Sequence, residues 1–104
     1  MMKRFLVCLL SCTTVLPAVA AGDPLDALIK GQPRDIAALI ERMVGCNHFS
    51  GEEPYDIQRR KEIAAAMADL GCSRLAADEV RARKRYAHRR TVLDALTRAQ
   101  ETSD

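Results

Sequence analysis

Pro33-Arg34-Asp35-Ile36-Ala37-Ala38-Leu39-Ile40-Glu41-Arg42-Met43-Val44-Gly45-Cys46 settles the fold class. Ile36, Leu39, Ile40, Met43 and Val44 recur at spacings of three and four, which places them on one face of a helix. Gln32-Pro33 opens this helix, Gly45 is expected to end it, and Cys46 follows. Upstream, Asp23-Pro24-Leu25-Asp26 predicts a helix start: a capping acid, proline in the first turn, then an acid near the positive helix end. Gly31 stops that helix after about two turns. Downstream, Glu53-Pro54-Tyr55-Asp56 predicts a third helix, capped by Glu53, with Pro54 at its first position. Ile57, Ile63, Ala64, Met67 and Leu70 would lie on its buried side. Gly71 ends it and Cys72 follows. Asp78 is expected to cap a fourth helix reaching about His88, whose apolar face of Val80, Ala82, Tyr86 and Ala87 is thin. Thr91 with Asp94 resembles a capping box, and Val92, Leu93 and Leu96 would face inward on a last helix that frays by Glu101. No segment alternates as a strand does. The expected class is all-α, with four to five short helices in one small domain over residues 21–104.

Residues 1–20 read as a secretory signal peptide. Lys3 and Arg4 precede an uncharged apolar run from Phe5 to Leu16. Pro17 breaks it, and Ala18-Val19-Ala20 supplies the small-x-small cleavage pattern. An uncleaved anchor and lipidation at Cys12 are the competing readings. Cleavage after Ala20 removes Lys3 and Arg4. The 16 basic residues then become 14, equal to the 14 acidic ones, so the net charge of +2 belongs to the leader. Nucleic acid is therefore not an expected partner. With 48% hydrophobic residues the chain is not of disordered composition. At 104 residues it is too small for a large catalytic core or several membrane spans.

Cys8 and Cys12 leave with the leader, and Cys46 and Cys72 remain. Two cysteines in an exported chain are most simply one disulfide. A helix from Pro54 to Leu70 is about 25 Å long. In a plain antiparallel hairpin Cys46 would lie beside Pro54, far from Cys72. Bridging needs Cα atoms within about 7 Å. Residues 47–53 are therefore expected to form a taut loop running back along the third helix, so that two helix C-terminal ends meet.

That loop concentrates the chain's unusual residues: His48, Glu52, Glu53, Tyr55 and Asp56 fall within nine positions. Cys46-Asn47-His48-Phe49-Ser50-Gly51-Glu52-Glu53-Pro54-Tyr55-Asp56, with Arg60, Ile63, Leu70 and Cys72, resembles a group of small exported bacterial helical proteins of uncharacterised function. Their shared pattern is approximately C-x-H-aromatic-x-G-E-E-x-Y-D, with a second Cys after the next helix. The likeness runs on through Leu75, Asp78 and Tyr86 and covers about half of residues 21–104. It implies an exported helical protein and specifies no activity. Ala82 departs from it, standing where a larger apolar residue is expected.

Three readings of the segment compete. It can serve packing and capping, with His48 and Phe49 against Tyr55 or Tyr86. It can bind a metal or small ligand through His48, Glu52 and Asp56, whose nitrogen and oxygen donors suit Zn²⁺ or a similar ion. Its spacing matches no strong metal signature, and Arg60 stands one helical turn from Asp56 as a competing partner. Acid–base catalysis by His48 with Glu52 or Glu53 is the third reading. No nucleophile elbow or glycine-rich phosphate loop accompanies them.

A second feature is electrostatic. Arg81, Arg83, Lys84, Arg85, Arg89 and Arg90 place six cations in ten residues without an acid. They read either as a solvated helix or as a contact for anionic headgroups or an acidic partner. The expected protein is thus a small exported helical binding module, periplasmic or secreted, with no catalytic residue and no cofactor. It would dock a periplasmic or envelope protein, or an anionic membrane surface. The thin fourth-helix face is also one that a dimer would cover.

Overall fold

Gly31 and Gly71 are the two glycines with positive φ, at 74° and 66°, and they end the first and third helices of an all-α domain. The computed structural model describes residues 22–102 and Thr14. The expected signal peptide, residues 1–20, lies outside the described residues except for Thr14. The helices are α1 (Pro24–Ile29), α2 (Arg34–Ser50), α3 (Ile57–Leu70), α4 (Leu75–Arg85) and α5 (Arg90–Glu101), and a 3-10 turn (Cys72–Arg74) joins α3 to α4. Among the described residues there are no strands.

The α2 helix is the axis of the molecule and touches each of the other four. Its apolar face buries Ile36, Leu39, Ile40 and Met43. The matching face of α5 buries Val92, Ala95, Leu96 and Ala99, again at spacings of three and four. Two alanines in that face let the helices come close. Leu25, Leu28 and Ile29 of α1 close one side of this core, and Leu75, Ala82 and Tyr86 close another. The first helix follows its sequence signals: the Asp23 carboxylate accepts from the Leu25 N–H at 3.0 Å, and Pro24 occupies the first turn. Gln32 Nε2 donates to the Thr91 carbonyl, tying the α1–α2 turn to the start of α5.

Gly45 does not end α2, which runs on through Cys46 to Ser50. The glycine serves packing instead. A Cβ built there would stand 2.9 Å from Leu70 Cδ1, so its absence lets the end of α3 press against α2. Cys46 is consequently a buried helical residue rather than the first residue of a loop. The disulfide to Cys72 is present, with the Cα atoms 5.6 Å apart. The connection between α2 and α3 shrinks to residues 51–56, because α2 itself carries the chain through residues 47–50. The expected meeting of two helix C-terminal ends holds to within about one turn of α2.

The starts of the later helices also differ from expectation. Asp56, not Glu53, caps α3: its carboxylate accepts from the Arg59 N–H at 2.7 Å, and Pro54 stays outside the helix. The fourth helix starts at Leu75, three residues before Asp78, because the 3-10 turn leads directly into it. It ends at Arg85 rather than His88. The Thr91–Asp94 capping box does not form. Arg89 precedes α5 and gives no side-chain cap. Ile57 and Ala64 are exposed on α3, where Ile63 is buried and Met67 and Leu70 half-buried. Val80 (54% exposed) and Ala87 point outward, which leaves Leu75 and Ala82 as the inward face of α4, continued by Tyr86 just past its end.

Gly71 gives a direct test of a left-handed helix end. An alanine there must hold φ near 66° and would meet Arg74 Nη2 at 2.7 Å and Arg42 Nη2 at 3.2 Å. Gly71→Ala is expected to lower the unfolding free energy by about 1–2 kcal/mol, read from urea denaturation.

Candidate functional site

The segment from 48 to 56, a candidate ligand site or a packing and capping element, spends the carboxylates of Glu52 and Asp56 on pairing and capping. Glu52 receives Arg59 through two bonds, Nε to Oε1 at 2.7 Å and Nη2 to Oε2 at 2.8 Å. Arg59 also reaches Glu62 at 3.1 Å. This pairing holds the Glu52 carboxyl below its ordinary pKa, and the two acids hold the guanidinium more firmly protonated. Asp56 is engaged as the α3 cap, accepting from the Arg59 backbone N–H, and among the described residues it makes no ion pair with Arg60. His48 is exposed and meets Phe49 edge-on, with ring centroids 5.1 Å apart. Neither ring packs as expected, because Tyr55 is 82% exposed and Tyr86 is occupied elsewhere. Glu53 is exposed. Among the described residues no three His, Cys, Asp or Glu side chains gather in a metal-binding group.

The basic run resolves into paired and unpaired members. Arg81 pairs with Asp78 one turn back. Arg83 pairs with Glu79 at 3.1 Å and also reaches Thr97 Oγ1. Arg85 spans to Asp35 of α2 at 3.1 Å. Arg89 lies over the Tyr86 ring, 5.7 Å from its centroid. Arg90 is exposed at the start of α5. Lys84 is exposed, and among the described residues it makes no ion pair. The six cations are therefore not one uniform surface. Acids that precede the run, together with Asp35 across the α2–α4 contact, neutralise three of them.

What the structure brings together lies between α2 and α4. An open groove of about 600 Å³ has Ile36, Leu39 and Ala82 along its floor. Its rim carries Arg42, Arg81, Lys84 and Arg85 against Asp35 and Asp78. Four cations facing two carboxylates leave an excess of two positive charges there. Both acids are fixed. Tyr86 Oη donates to Asp35 at 2.8 Å, and Arg42 Nη1 stands 2.8 Å from Asp78. Arg42 also donates through Nε to the Leu70 carbonyl at 2.6 Å and through Nη2 to the Gly71 carbonyl at 3.0 Å. One guanidinium thus closes the free carbonyl end of α3 and holds α4 in register with it.

Sequence reasoning placed Arg81, Lys84 and Arg85 in a basic surface but missed Arg42, Asp35 and Asp78 as its organisers. A signal existed for Arg42, which follows the helical face of Ile36, Leu39 and Met43 closely enough to lie on its edge. Its partners 28, 29 and 36 residues away carry no such signal.

Both rim acids have lowered pKa values. The Tyr86 hydroxyl and Arg85 depress Asp35, and Arg42 and Arg81 depress Asp78. The same bond raises the Tyr86 phenol, because ionising it would set two negative charges together. A carboxyl whose folded pKa lies below its unfolded one contributes stability above the unfolded value and loses it as pH falls through the folded value. Thermal stability is therefore expected to hold from pH 7 to about 5 and to fall below about pH 4. Asp35→Asn should flatten that acid limb in melting scans. An unchanged limb would show that the Asp35 carboxylate is not coupled to folding.

No helix of the described residues is long and apolar enough to cross a membrane. No protein family, no curated protein and no solved structure matches this chain.

Proposed function

We propose that this chain is an exported, non-catalytic accessory protein that docks a partner in the cell envelope through the α2–α4 groove. The groove itself carries the reading: an apolar floor flanked by a net positive rim is a seat for a complementary surface. Export is supported by the basic start, apolar run and Ala18-Val19-Ala20 of the leader, and by a disulfide, which persists in oxidising compartments. Kinship with the small exported helical proteins that share the segment from Cys46 to Asp56 belongs to the same proposal. The compartment is the periplasm, or the medium after release.

A photo-crosslinking residue at Ala77, exposed one turn before Arg81 on α4, tests the docking face in intact cells. The same residue at Ala65, exposed on α3, is the control. Protein adducts at position 77, absent at 65 and weakened by salt, are expected. Equal labelling at both positions, or none at 77, removes the docking role from the groove. The intact mass of protein isolated from the envelope tests export: a chain beginning at Ala21 and two hydrogens light is expected.

A further inference from the structure

We propose that the groove's occupant is an acidic amphipathic helix of a protein partner, carrying two carboxylates three or four residues apart beside an aliphatic side chain. This rests on the docking role of the groove and names what docks. Arg81, Lys84 and Arg85 stand at i, i+3 and i+4 on α4, so they share one face within a single turn. Lys84 has no ion pair among the described residues and is open to one carboxylate. Arg81 and Arg85 each spend only part of a five-donor guanidinium on Asp78 and Asp35, so either accepts a second carboxylate. Two acids one turn apart on an incoming helix match that spacing. An aliphatic residue between them meets the floor at Ala82, its half-buried member. The floor is shallow, because Ile36 and Leu39 are themselves buried, so charge rather than apolar area dominates recognition.

A membrane surface fits less well. The groove is concave, whereas a bilayer presents a broad face that cannot enter it. Asp35 and Asp78 also stand among the cations and would face anionic headgroups. A helix avoids both carboxylates by placing its own acids only opposite the cations.

The test is selection of a displayed helical-peptide library on the full protein, followed by fluorescence anisotropy with the enriched peptides at 150 mM salt. Enrichment of paired Asp or Glu three or four residues apart is expected. Affinity should fall about tenfold with Lys84→Glu, less with Lys84→Gln, and by less than about twofold with Arg90→Glu, which makes the same charge change outside the groove. Circular dichroism checks that each variant folds, and Lys84→Gln keeps the test intact if the reversal does not. No enrichment, enrichment of neutral or basic helices, or equal losses with Lys84→Glu and Arg90→Glu overturns the proposal. So does co-sedimentation with phosphatidylglycerol vesicles that Lys84→Glu abolishes, which would assign the groove to lipid. Crosslinks at Ala77 combined with an empty selection would leave the docking role standing and remove only the acidic helix. A groove that crosslinks nothing removes the docking role itself.

Discussion

Cys46→Ser or Cys72→Ser is expected to lower the unfolding free energy by about 3–4 kcal/mol, read from urea denaturation of the variant against the oxidised protein. The bridge joins residues separated by 26 positions, and closing a loop of that length removes much of the freedom of the unfolded chain. The consequence is large for three reasons. The domain is small, so its net stability is of the same order as this one contribution. The main apolar cluster is built from α2 and α5 with help from α1 and α4, and α3 contributes nothing to it. The third helix is held instead by Ile63, by the Leu70 contact at Gly45, by Arg42 and by the disulfide. Loss of the bridge should therefore loosen α3 before the rest, with its amide protons exchanging first. Unchanged denaturation midpoints would mean that the bridge does not constrain the unfolded chain.

Arg42→Ala should cost about 2–3 kcal/mol, more than any other single exposed or half-exposed charge among the described residues. The side chain gives charged hydrogen bonds to the carbonyl of Leu70, the last residue of α3, and to that of Gly71 just past it, and an ion pair to Asp78. Removing it leaves the carbonyls of Leu70 and Gly71 without that donor, and Asp78 with Arg81 alone. Arg42→Lys should recover only part of the loss, since an ammonium cannot reproduce the planar fork that reaches two carbonyls and a carboxylate together. A double-mutant cycle with Asp78→Ala separates the two duties. If Arg42→Ala still destabilises strongly where residue 78 is already alanine, the α3 carbonyls are its main role. If the effect vanishes there, the ion pair is.

Much of the fold was legible because helix faces are periodic. Ile36, Leu39, Ile40, Met43, Val92 and Leu96 announce the apolar faces of α2 and α5 by spacing alone, though not that the two faces meet. Asp23, Pro24 and Gly31 bracket α1 for local chemical reasons. The misses share a different cause. Gly45 looks like a stop signal because glycine often ends helices, yet here the missing Cβ makes room for Leu70, a residue 25 positions later. Asp56 and Asp78 both stand near expected helix starts in sequence, and only Asp78 is expected to cap. Only the tertiary arrangement makes one a cap and the other a partner of Arg42. Ala95 and Ala99 are inconspicuous by composition and buried only because α2 lies against them. The groove was half visible. Three of its four cations form a run, whereas Arg42 and the acids that divide the run into paired and available charges come from α2 and from the first turn of α4.

The short connection between α2 and α3 has a practical consequence. Tyr55, 82% exposed, and Ile57, 71% exposed, offer a protease an accessible cleavage point, and Cys46 and Cys72 lie on opposite sides of it. A cut there would not release either piece. The nicked chain would migrate as one species without reductant and as two with it, and α2 would still carry α3 beside it. The domain is built so that this exposed stretch of chain is spanned by its disulfide.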